Sequence, residues 1–92
     1  MQEFEKPAYY LDLTLSSNRD HIERAKPDVP IEVLVRNELR RDDVPIKATG
    51  VRRGDEFIVT VIVGNYTQTH TRTWDMLIAA ISDARRAASR KR

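Results

Sequence analysis

Apolar and polar positions alternate with a period of two, then of nearly four, along the C-terminal half of the 92-residue chain. Phe57, Val59, Val61 and Val63 fall on one face of an extended segment, and Ile58 and Ile62 on the other. A strand apolar on both faces sits centrally in a sheet and is covered at least in part on both sides. Gly64-Asn65 reads as a two-residue hairpin with glycine first, as a type II′ turn requires. Tyr66 to Arg72 returns as a threonine-rich strand. Upstream, Val44, Ile46 and Ala48 alternate inward along a strand ending near Arg52, and Gly54 supplies positive φ for the loop Arg52-Arg53-Gly54-Asp55. Thr73 can cap a closing helix, in which Trp74, Leu77, Ile78, Ile81, Ala84 and Ala88 form an apolar stripe. Val44 to Arg92 therefore reads as a three-stranded antiparallel β-meander followed by an amphipathic helix.

The N-terminal half is less regular. Residues 1–8 read as a flexible tail, residues 9–90 as one α+β domain and residues 91–92 as a basic end. Tyr9 to Ser16 alternates like a strand, and Ser17 or Asn18 is placed to cap a short helix, Arg19 to Lys26, which Pro27 stops. Ile31 to Arg41 carries two signals. Its β-branched residues favour a strand. The spacing of Ile31, Leu34, Val35 and Leu39, with Glu32 and Arg36 paired at i,i+4, favours a helix. The helix is the expectation. The fold class expected is thus α+β: a three-stranded meander packed against a C-terminal amphipathic helix, with an N-terminal strand and one or two additional helices.

Composition narrows the chemistry. With no cysteine, thiol chemistry and disulfides are excluded. The longest apolar run, Met76 to Ile81, is far short of the roughly 20 residues a membrane helix needs. The start of the chain lacks an apolar leader, so a cytoplasmic protein is expected. His21 and His70 have no carboxylate or cysteine at ligand spacing, and no metal is expected. Asp42-Asp43 and Asp55-Glu56 read as solvated turn acids, and Arg53-Gly54-Asp55 as a turn. No phosphate-cradling glycine loop or nucleophile elbow is present, so neither a catalytic residue nor a cofactor is expected.

Charge is asymmetric. Residues 1–50 carry a net −2 and residues 51–92 a net +4, and 12 of the 16 basic residues are arginine. Arg85, Arg86, Arg90, Lys91 and Arg92 crowd the helix end, either as a solvated terminus complementing the helix dipole or as a phosphate-binding tail. The strand order brings Arg52 and Arg53 to the edge where Arg72 meets the helix start, a plausible anion site. Trp74 and Tyr66 are able to stack on a base if exposed, although Trp74 also lies on the apolar stripe.

Residues 28–90, read as helix–strand–strand–strand–helix, resemble the double-stranded RNA-binding domain. Phe57-Ile-Val-Thr-Val-Ile-Val-Gly64 is similar to that family's middle strand and turn, and Leu77, Ala79, Ala80 and Ile81 to its last helix. The resemblance implies RNA binding, with Arg72 where the family opens that helix with lysines. Some DNA-binding modules of phage integrases also combine a three-stranded sheet with one helix. The first expectation is a non-enzymatic nucleic-acid-binding module using these arginines. The other is a protein-interaction module, either a homodimer or a small phage- or plasmid-type inhibitor of a larger complex. There Ile58, Thr60 and Ile62 form the interface unless the segment from Tyr9 to Leu15 covers them.

Overall fold

The computed structural model describes residues 8–40 and 44–90, the last of these by its backbone alone. The element order is β1 (Tyr9–Leu11), α1 (Ser16–Glu23), β2 (Ile31–Asn37), β3 (Ile46–Arg53), β4 (Glu56–Val63), β5 (Tyr66–Thr73) and α2 (Trp74–Arg90). The strands form one antiparallel sheet in sequential order, β1-β2-β3-β4-β5, curled into a near-barrel. The α+β class and the meander into an amphipathic helix match the sequence reading. The sheet has five strands rather than the three of the expected meander.

The added central strand is β2. Ile31 to Asn37 is extended, not helical, and Val33 and Val35 are buried opposite Ala48 and Ile46. The helical spacing there loses to pairing. β1 and β3 pair with the backbone of β2, and its β-branched side chains suit a pleated surface. Residues 31–90 are therefore four strands and a helix.

Concave positions build the core. Val33, Val35, Ala48, Phe57, Val59 and Val61 are buried with Ile22 of α1 and with Leu77 and Ile81 of α2. Each large side chain so buried contributes roughly 1.5–3 kcal/mol. The opposite, convex face holds Thr49, Val51, Ile58, Thr60, Ile62 and the outward threonines of β5. Gly50 faces the core because Phe57 lies across it: a Cβ there would fall 2.8 Å from Phe57 Cε2 and closer still to Cζ. Both hairpin turns, Gly54-Asp55 and Gly64-Asn65, begin with a glycine at positive φ, 57° and 59°. Arg52 and Arg53 therefore belong to β3 rather than to the loop.

Several local expectations change. The N-terminal strand stops at Leu11, and α1 begins at Ser16 with Leu15 at its N-cap and no side-chain cap bond. Asn18, expected as a cap, is buried and bonded elsewhere (below). Val44 is 83% exposed and precedes β3. Thr73 ends β5, and α2 follows directly, the Trp74 N–H donating to the Asp55 carbonyl at 2.6 Å. Ala8, read as part of the tail, accepts the Glu38 N–H at 2.8 Å. Residues 1–7, Arg41 and the Asp42-Asp43 pair lie outside the described residues.

Candidate interaction surfaces

The arginines expected to converge are divided by the sheet. Arg52 and Arg72 both face the concave side, each in register with Phe57, which stands between them. Two strand spacings separate them, about 9–10 Å of backbone. Arg53, one residue on, faces the convex side. Its guanidinium lies 3.9 Å from Asp28, and both side chains are largely in water, so the pair contributes little. Asp28 is held there by its N–H, which donates to the Arg52 carbonyl at 2.8 Å, and by a left-handed φ of 66°.

Arg52 is committed to Trp74. Its guanidinium carbon sits 4.3 Å from the ring centroid, a cation–π contact, and the other aromatic neighbour of Trp74 is Phe57, 6.0 Å away between centroids. Trp74 is half-buried at the start of α2 and closes the core there. Arg72 instead lines a cleft of about 290 Å³ at the seam between β1 and β5, with His70, Glu38 and Tyr10 around it and Val59 as a wall.

That seam exists because β1 and β5 do not pair through their backbones. The Gln68 carboxamide bridges them instead, accepting from the Tyr9 N–H at 3.4 Å and donating to the Tyr9 carbonyl at 3.1 Å. His70 also contacts the Gln68 amide.

Arg85 and Arg86, the C-terminal arginines whose side chains are described, are both ion-paired. Arg85 reaches from α2 to Asp20 and Glu23 of α1. Its hydrogen bonds to the carboxylates of Glu23 and then Asp20 raise its pKa above the ordinary arginine value. Arg86 pairs with Asp83 one turn back. The Arg90 side chain, Lys91 and Arg92 lie outside the described residues.

On the convex face, Ile58 and Thr60 are half-buried and Ile62 is 64% exposed. β1 does not cover them. It joins the sheet in plane, its three residues paired with Val35, Arg36 and Asn37. The rows Ile62–Thr67, Thr60–Thr69 with Thr49, and Ile58–Thr71 with Val51 make an uncharged field across β3, β4 and β5. Charges of both signs border it at Glu32, Lys47, Arg53 and Glu56, and Glu32 pairs with Lys47 at 3.7 Å.

Three buried polar side chains carry weight that sequence reasoning missed: Asp12, Asn18 and Arg19. Asp12 ends β1. Its Oδ1 accepts from the Thr14 N–H and hydroxyl, and its Oδ2 from Arg36. Burial would raise its pKa; the bonds from Thr14 and Arg36 outweigh burial and hold it below the ordinary value. The spacing Asp12-x-Thr14 is that of an Asx turn and was the one available signal. Nothing local marks Asn18 or Arg19. Among the described residues no group of three or more metal-ligating side chains converges, and no helix is long and apolar enough to cross a membrane.

No family model, curated protein or solved structure matches this chain.

Proposed function

We propose that this protein is an interaction module that self-associates through the convex face of its sheet. The observation that carries this reading is the in-plane position of β1, which leaves Ile58, Thr60 and Ile62 uncovered by the described residues. A second copy is the occupant the face fits. Its middle is uncharged, and its border holds acids beside bases, so a second copy meets no rim of a single sign. Three strand spacings by seven residue rises give a projected patch of roughly 340 Å². A stable complex buries roughly 800 Å² per partner, so the dimer is weak and concentration-dependent. Sedimentation across a wide concentration range tests this. Mass should rise above the 10.7 kDa monomer for the natural chain and stay at it for Ile62→Lys. A monomer at every concentration removes the reading.

Nucleic-acid binding is the second reading. It is supported by Arg72, for which no ion pair exists among the described residues, and by the +4 balance of residues 51–92. The neutralised Arg85 and Arg86 and the division of Arg52, Arg53 and Arg72 between two faces weigh against a compact phosphate-binding site. Gel shifts with duplex RNA, duplex DNA and single strands at two salt concentrations separate the readings. Salt-sensitive binding lost in Arg72→Ala favours the second.

A further inference from the structure

Arg19 of α1 is a buried cation with no carboxylate partner among the described residues. It is 8% exposed. Its Nη1 donates to the carbonyls of Leu13 and Thr14 at 2.9 and 3.1 Å. Its Nε is buried with no partner among the described residues, and no carboxylate there pairs with it. Of the acids near it in sequence, Asp12 is taken by Arg36 and Thr14, and Asp20 and Glu23 by Arg85. Buried charges are ordinarily paired, because neutral carbonyls replace only part of the lost hydration and leave the formal charge uncancelled. The carbonyls hold the guanidinium by one nitrogen, and the edge from Nε to Nη2, the edge that meets a carboxylate side-on, has no described partner.

This side chain borders a cleft of about 240 Å³ between the helices, with Thr14 beside it and Ala84, Ala87 and Ala88 of α2 as the far wall. The alanines stand at i, i+3 and i+4, so their methyl groups share one strip of the helix. The Thr14 hydroxyl is spent on Asp12. The cleft thus offers one buried cation against an apolar wall of small residues.

We infer that this cleft between α1 and α2 binds a small monocarboxylate with a short apolar body, its carboxylate on Arg19 and its hydrocarbon against Ala84, Ala87 and Ala88. The volume is below the roughly 300–1,000 Å³ of drug-sized pockets, which limits the body to a few carbons. A second charge on the ligand would be desolvated with no partner, which disfavours dicarboxylates and phosphate. An amine of the same length is repelled. The inference is independent of the convex-face reading, since the cleft lies on the other side of the sheet.

Sodium hexanoate, 1-hexanol, hexylamine and inorganic phosphate, titrated at constant ionic strength into the full ¹⁵N-labelled chain, test it. Hexanoate should shift the amides of Thr14, Arg19, Ala84 and Ala87 saturably, with a Kd on the order of 1 mM, as fits about eight heavy atoms. Hexanol should bind at least about tenfold more weakly for want of the charge. Ala87→Leu fills the cleft while leaving the Arg19 bonds in place, and should abolish the shifts with the fold intact. Arg19→Gln should do the same where it folds. The inference is overturned if hexanoate gives no saturable shift at about ten times that Kd. It is also overturned if hexanol or phosphate binds as well as hexanoate, or if Ala87→Leu binds like the natural chain.

Discussion

The side chain of Asn18 takes both backbone hydrogen bonds of Leu34. Its Oδ1 accepts the Leu34 N–H at 2.8 Å, and its Nδ2 donates to the Leu34 carbonyl at 2.8 Å and to the Asp12 carbonyl at 2.8 Å. β1 stops pairing with β2 at Leu11 opposite Val35, so Leu34 is the first residue of β2 beyond that strand. One carboxamide continues the ladder where the strand ends and ties α1 to the sheet. Gln68 does the same for Tyr9 at the other edge of β1.

Asn18→Ala leaves two carbonyls and one N–H at a buried site without these partners. At about 1 kcal/mol or more for each lost bond, the expected loss is about 3 kcal/mol. Urea denaturation should show it as a lower midpoint at unchanged slope. Asn18→Asp should cost at least as much, since it brings a carboxylate against the Leu34 and Asp12 carbonyls.

Asp12 sets a pH dependence. Its folded pKa is held below its unfolded value, near 3.9, so the stabilisation is fully present above that value and is lost as pH falls through the folded pKa. Asp12→Asn should be less stable at pH 7 by roughly 2 kcal/mol. That is below the roughly 3–5 kcal/mol of a fully buried pair, because the Arg36 side chain is 24% exposed. Below pH 4 its stability should fall less steeply than that of the natural chain. Parallel pH–stability curves for the two chains would refute this.

Gly50→Ala places a methyl group inside the contact distance of the Phe57 ring, which is itself fully buried. The expected cost is about 1–3 kcal/mol from overpacking. Phe57→Leu in the same chain should recover part of it, because the clashing ring atoms are gone. A thermal-unfolding double-mutant cycle measures that coupling.

Arg52→Met removes the cation above Trp74, the single tryptophan of the chain, while keeping most of the side-chain volume. About 1 kcal/mol should be lost. Tryptophan emission should change in wavelength or intensity, and Arg53→Met, whose side chain lies on the other face, should leave the emission as it was.

The sequence determined by itself the elements whose side-chain period is unambiguous. Phe57 to Val63 is a short β-branched run apolar on both faces and closed by a glycine turn, and the stripe from Trp74 through Ile81 repeats at helical spacing. Gly54 and Gly64 mark turns that only a residue tolerant of positive φ fills without strain. Such signals are local, because each residue states its own requirement. Ile31 to Asn37 states two, and the choice fell to β1 and β3, which supply hydrogen-bond partners far away in sequence.

Tertiary structure alone decided the rest. Arg85 finds Asp20 and Glu23 more than sixty residues away, which makes one residue of the basic helix end a surface clasp between the helices. The parity of β3 sends Arg52 and Arg53 to opposite faces. The in-plane pairing of β1 leaves Ile62 bare, and the packing of α1 beside α2 closes Arg19 away from any carboxylate among the described residues. Charge and polarity are carried by single side chains, but neutralisation and burial belong to pairs, and the fold chooses the pairs.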